Sequence, residues 1–157
     1  MPGVRCERAR VTSDYVEQLL ADHGVPKDFD LLSVMIAGND YWVWQAVERW
    51  RPRIVAIQYN SQRPPPQRWV MQENASYRWD GTDYYGASLS SLADLGKRKG
   101  YSLVGSDSAG VNAFFVANEV ATPGRFLDPA VQYYYSPPRF GPHLRGHPAG
   151  AGPFVEI

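Results

Sequence analysis

Two short apolar runs, Phe29 to Ile36 and Arg53 to Tyr59, flank a glycine turn and one amphipathic segment, and this spacing most constrains the fold. The first run closes at Ala37 and Gly38. From Asp40 to Arg49, apolar Tyr41, Trp42, Trp44 and Val47 recur at helical intervals, and Pro52 stops that pattern. Strands that lack polar alternation are those buried on both faces, as in parallel sheets. Leu31 to Tyr59 therefore reads as a βαβ unit: two parallel strands joined by a right-handed helical crossover. The chain is assigned to the α/β class on this unit.

Three further segments extend the reading. Residues 13 to 23 place Tyr15, Val16, Leu19 and Leu20 on one helical face, with Thr12 or Ser13 before it and Gly24 after it. A helix over Ala87 to Lys99 turns Leu89, Leu92 and Leu95 inward and ends at Gly100. Tyr101 to Val104 and Asn112 to Val116 flank a glycine-containing turn and predict an antiparallel hairpin at one sheet edge. Between them, Asn60 to Tyr85 has Pro64, Pro65 and Pro66 and no clean period, so it reads as a long ordered loop holding at most one helical turn. Beyond Thr122 the chain is rich in proline and glycine and carries Tyr133, Tyr134 and Tyr135. The expected organisation is an α/β domain over residues 1–122 and a tail, 123–157, packed upon it.

Composition narrows the partners. The 157 residues carry 16 Lys plus Arg against 16 Asp plus Glu, so no net field draws the chain to nucleic acid or anionic lipid. No apolar run reaches the roughly 18 residues that a membrane-spanning helix needs, and the start has Arg and Glu where a signal peptide has an apolar core. The lone Cys6 has no internal disulfide partner and no zinc-site companion. A cytoplasmic location is expected.

Several blocks resemble, in order and spacing, bacterial FkbM-like S-adenosylmethionine-dependent methyltransferases. They are Phe29-Asp30-Leu31-Leu32-Ser33, Gly38-Asn39-Asp40-Tyr41-Trp42, Arg51-Pro52-Arg53-Ile54-Val55 with Tyr59-Asn60, Tyr85-Gly86-Ala87-Ser88-Leu89, Lys99-Gly100-Tyr101-Ser102-Leu103-Val104, and Gly110 to Val116. The resemblance covers about residues 12 to 118 and corresponds to the C-terminal half of that family. It implies a truncated Rossmann-like methyltransferase sheet that ends in the antiparallel hairpin. The cofactor cradle of the family would precede Thr12, and eleven residues do not supply it. The family pattern Asp-Ile-Asp-Gly-Asn-Asp is replaced here by Met35-Ile36-Ala37-Gly38-Asn39-Asp40, and a glutamate by Gln58. A carboxylate at a strand end accepts a proton, holds a metal or binds a hydroxyl, whereas Met and Ala do none of these.

Candidate residues follow from position. Asn39 and Asp40 end the first strand, where open α/β sheets contact ligands, and equally begin a helix that needs capping. Tyr59 and Asn60 end the second strand; Asn60 also suits a turn. Asp80, Asp83, Tyr84 and Ser88 surround the Gly81 turn before a helix, as ligand contacts or as caps. Asp40, Asp80 and Asp83 are the candidate catalytic carboxylates. The five tryptophans suit core mass or an apolar pocket. His143 and His147, separated by prolines and glycine, do not form a helical metal pair. No nucleophile elbow is present.

The leading expectation is a degenerate methyltransferase-like protein that binds a small molecule or acts without a cofactor, as a cyclase or isomerase does, in a biosynthetic pathway. No metal and no cofactor are expected for the chain alone. The alternative is an O-methyltransferase, or a subunit of one, whose S-adenosylmethionine site is completed by another chain. The first strand would otherwise leave an apolar sheet edge unpaired, which predicts a homodimer.

Overall fold

The computed structural model describes residues 6–121 and 130–157. Among them are three α-helices, α1 (Val16–Asp22), α2 (Asp40–Ala46) and α3 (Leu89–Arg98), and six strands, β1 (Leu31–Val34), β2 (Ile54–Gln58), β3 (Val70–Met71), β4 (Tyr101–Ser106), β5 (Asn112–Ala117) and β6 (Phe154–Val155). Four strands form one mixed sheet in the order β1-β2-β5-β4. β1 and β2 are parallel, with Leu31 opposite Ile54 and Val34 opposite Ile57. β5 runs antiparallel to both β2 and β4. The α/β class, the parallel pair and the C-terminal hairpin expected from the sequence are all present.

One face of this sheet makes the core. Val34, Val55, Ile57, Ala113, Phe115 and Ala117 are buried beside Tyr41 and Trp44 of α2 and Leu89, Leu92 and Leu95 of α3. Each buried leucine of this kind contributes about 1.5–3 kcal/mol. Helix α3 begins at Ser88, whose hydroxyl accepts from the Ser91 N–H at 3.3 Å, and lies close to the sheet at Gly96. A Cβ there would sit 2.8 Å from the Phe115 ring.

α2 and β1 are shorter than the hydrophobic pattern predicts, for identifiable reasons. α2 ends at Ala46 rather than Arg49, because the Glu17 carboxylate of α1 accepts from the Glu48 and Arg49 N–H groups at 2.8 and 2.6 Å. Those donors leave the helix ladder. β1 ends at Val34, and the Ile36 N–H turns to Asp40. The hairpin strands run longer than expected, through Ser106 and Ala117, with an irregularity between Leu103 and Gly105.

The proline-rich connection holds no helical turn. It contains β3, which pairs antiparallel with β6 near the C-terminus, Val70 opposite Val155. Two-residue strands separated by more than eighty positions leave no periodic trace in a sequence. Tail residues return to the body through side chains: the Tyr59 hydroxyl donates to Ser136 O at 2.8 Å, and the Tyr135 hydroxyl to Ser61 O at 2.7 Å. Residue 122 of the expected domain and residues 123–129 of the expected tail lie outside the described residues. Among the described residues no helix is long and apolar enough to cross a membrane.

Candidate functional site

A turn, Met35 to Asn39, leads from the carboxyl end of β1 into α2. Asp40 is 1% exposed. Its Oδ1 accepts from the Ile36 N–H at 3.0 Å and its Oδ2 from the Gly38 N–H at 2.9 Å. Burial pushes its carboxyl above the ordinary value, against the opposing pull of those two N–H groups. Asp40 thus braces the turn from inside. Asn39 faces outward and exchanges two hydrogen bonds with Asn74, its amide donating to Asn74 O at 2.8 Å and its oxygen accepting from Asn74 N at 3.0 Å. That exchange fastens the long connection to the start of α2.

Space above the turn is filled. A Cβ on Gly38 would lie 2.4 Å from the Tyr77 ring, and Tyr77 in turn donates its hydroxyl to Tyr84 O. Burial raises that hydroxyl to about 12, so it stays a donor at neutral pH. S-adenosylmethionine, the cofactor implied by the resemblance, would be held in that family ahead of Thr12, and this turn, closed by the Tyr77 ring and with its acid committed to backbone N–H groups, adds no open contact for it.

The other candidates gather around the end of β2. Asn60 is fully buried: its amide donates to Asp83 O at 2.8 Å and to Tyr85 O at 2.9 Å, and its oxygen accepts from the Gln62 N–H at 3.1 Å. Asp83, also buried, pairs with Arg63 at 3.2 Å and accepts from the Gly150 N–H at 2.7 Å. Ser88 donates to Gln67 O at 2.7 Å. Tyr84 donates its hydroxyl to Pro153 O at 2.6 Å. Burial raises the Tyr59 hydroxyl above its usual value. Exposed Asp80 closes a local turn on Thr82, whose hydroxyl and N–H lower its carboxyl. Asn39 and Asp40 form one cluster and Tyr59, Asn60, Asp83 and Ser88 another, with Tyr77 and Tyr84 between them. In both, the polar groups hold protein backbone.

What sequence reasoning missed is a hollow of about 450 Å³ beside the second cluster, where Arg63, Arg68, Trp69 and Tyr84 meet the tail at Gly150, Gly152, Phe154 and Glu156. The Arg63 guanidinium lies 5.0 Å from the centre of the Trp69 ring. Arg68 is held by Asp94 at 2.7 Å. Phe154 stacks on Trp69 at 6.0 Å with 28° between the rings, and Tyr84 meets Trp69 edge-on at 5.9 Å. Two arginines within six residues, beside a tryptophan, are the one local signal; their meeting with Phe154 depends on the β3–β6 pairing. The remaining tryptophans act elsewhere. Trp44 is core, and Trp42 and Trp50 donate to Met71 O and Val25 O. The His147 ring packs on Trp79 at 4.7 Å. Among the described residues no group of three His, Cys, Asp or Glu is placed to hold a metal ion. No family model, curated protein or solved structure matches the chain.

Proposed function

We propose that this chain is a cytoplasmic, methyltransferase-like protein of the FkbM type that binds a small molecule in a biosynthetic pathway and does not itself transfer methyl groups. The observation that carries this reading is the state of Asp40. It is the one carboxylate left of the acidic pattern at the carboxyl ends of β1 and β2, and both its oxygens accept from backbone N–H groups. An acid or base must reach a substrate proton directly or through one water, and Asp40 is sealed away from both. Met35 and Ala37, where the resembled family has aspartates, offer no replacement. A preformed hollow lined by arginines and aromatic rings supports binding as the retained activity.

Calorimetric titration with S-adenosylmethionine and S-adenosylhomocysteine tests the reading, together with a methyl-transfer assay on hydroxyl and carboxyl acceptors. No binding and no transfer are expected, and neither should be restored by Met35→Asp with Ala37→Asp. Micromolar binding with turnover by the purified chain would overturn it.

A second reading is favoured by β1, which ends the sheet with Leu31 56% exposed and its neighbour Ile54 40% exposed. Another chain seated on this edge would complete the sheet, and a cofactor site would follow only if that chain were a subunit carrying the cofactor cradle. We favour a second copy, in a homodimer, over a different subunit, because the outward residues of β1 and β2, Leu31, Ser33, Ile54, Ala56 and Gln58, are uncharged. Self-pairing then brings no like charges together.

A further inference from the structure

The hollow beside Trp69 has features that select a chemical class of ligand. Two guanidinium groups line it, and each is anchored from behind by a carboxylate, Arg63 by Asp83 at 3.2 Å and Arg68 by Asp94 at 2.7 Å. An anchored guanidinium keeps donors for a second acceptor, since it carries five N–H groups in a fixed fork. Arg63 is the more enclosed, its side chain 26% exposed, and its Nε is buried with no hydrogen-bond partner among the described residues. A buried donor left unpaired carries a desolvation cost, so this end of Arg63 is not fully satisfied by the protein itself.

The rest of the lining combines aromatic rings with the backbone of the tail and with Gln67 and Glu156. Trp69, 8% exposed, forms the base, with Phe154 stacked above it and Tyr84 edge-on. The tail segment that closes the hollow is pinned: Gly150 donates to Asp83, Asp83 N–H donates to Pro148 O at 2.8 Å, and Pro153 O accepts from both the Tyr84 hydroxyl and the Gln72 N–H. Glycine is required in that wall, because a Cβ on Gly152 would fall 2.2 Å from the Tyr84 ring. The site is therefore built before a ligand arrives, which lowers the ordering cost of binding. Glu156 also lines the hollow and its charge opposes a polyanion, so nucleotides and polyphosphates are disfavoured. Because Asp83 and Asp94 already pair the two arginines, what the walls offer an anion is the remaining guanidinium N–H donors beside aromatic rings, a setting for one planar carboxylate on an aromatic body.

Building on the reading of the chain as a small-molecule binder, we propose that this hollow is a site for small aromatic monocarboxylates, the carboxylate held by Arg63 and Arg68 and the ring lying among Trp69, Tyr84 and Phe154. The test is calorimetric titration of the full chain with 2-naphthoate and 4-hydroxybenzoate, and with 2-naphthamide and acetate as the neutral and ring-free counterparts. Saturable binding of the two acids is expected. The amide should bind at least about tenfold more weakly, as loss of a charge-assisted pair implies, and acetate should give no measurable heat. Arg68→Gln, at a half-exposed position, should weaken 2-naphthoate about tenfold by the same loss while the melting temperature stays within the range of the parent chain. Phe154→Ala should weaken the naphthoate more than the smaller hydroxybenzoate. Absence of saturable binding of either acid to the folded protein, equal binding of acid and amide, or unchanged affinity in Arg68→Gln would each overturn the proposal. Titration with S-adenosylmethionine in the same buffer keeps the two ideas separable. Cofactor binding with turnover would remove the non-methylating reading and leave the carboxylate site standing, whereas acids that fail beside a cofactor that also fails would remove only the site.

Discussion

Ala37 adopts φ of +51°, a left-handed conformation that costs an L-residue with a Cβ roughly 1–2 kcal/mol. The turn accepts this because the chain must swing from β1 into α2 while presenting the Ile36 and Gly38 N–H groups to Asp40. Aspartate and asparagine tolerate that region better than alanine, so the side chain at this position is not the one best suited to its backbone. Ala37→Gly should raise stability by about 0.5–1 kcal/mol, the strain relieved less the entropy of a freer unfolded chain. Urea unfolding at neutral pH measures it, and a loss of stability would show that the turn is not strained.

At the scale of elements, the junction of α1 and α2 depends on one carboxylate. Burial acts to raise the Glu17 carboxyl, yet hydrogen bonds from Arg49 and Glu48 outweigh it and the net shift is downward from the ordinary 4.5. A carboxylate whose folded value lies below its unfolded value contributes stability that is complete above 4.5 and disappears as pH falls through the lower folded value. Asp40 acts with the opposite sign: its raised value favours the fold when protonated, below the ordinary 3.8, and that contribution fades as pH rises through the folded value. Glu17→Gln should cost about 1 kcal/mol at pH 7, typical of a lost charge-assisted hydrogen bond, and should flatten the fall of melting temperature below pH 4.5. An unchanged acid limb would assign acid sensitivity to other carboxylates, among them Glu119, whose value the Arg51 pair holds at about 2. The helix pattern from Asp40 onward was legible, but its end was not, because Glu17 lies more than twenty residues upstream.

For the molecule as a whole, the two sheet edges differ. Beside β4, the tail supplies Tyr134 O as acceptor for the Ser106 hydroxyl, and Val131 and Tyr134 line one hollow with Ser102 and Leu103. β1 has no such cover among the described residues. The face of the sheet away from the helices continues the apolar surface, with Leu31 opposite Ile54, Ile54 opposite Val116, and Ala56 opposite Phe114. A parallel pair is ordinarily covered on both faces, and exposed apolar edges invite pairing. Light scattering coupled to size exclusion should therefore report a dimer. Leu31→Lys with Ile54→Lys should give a folded monomer, since both positions are exposed in the single chain. A monomeric parent chain would remove the homodimer and leave the edge to a different partner.

Local chemistry in the sequence determined the elements. Apolar runs beside a glycine turn specified β1, α2 and β2; Ser88 and the Leu89, Leu92, Leu95 spacing specified α3; and the Gly110 turn specified the hairpin. Only the tertiary structure decided what the polar candidates do. Asp40, Asn60, Asp83 and Ser88 have the residue types of a binding site, but their partners are protein groups brought near by folding, mostly backbone and, for Asp83, also Arg63, and a sequence does not state where a carboxylate's oxygens point. The hollow at Trp69 was likewise decided by folding, because β3 and β6 meet across a separation that no local pattern encodes, and that meeting brings Phe154 and Glu156 to Arg63 and Arg68.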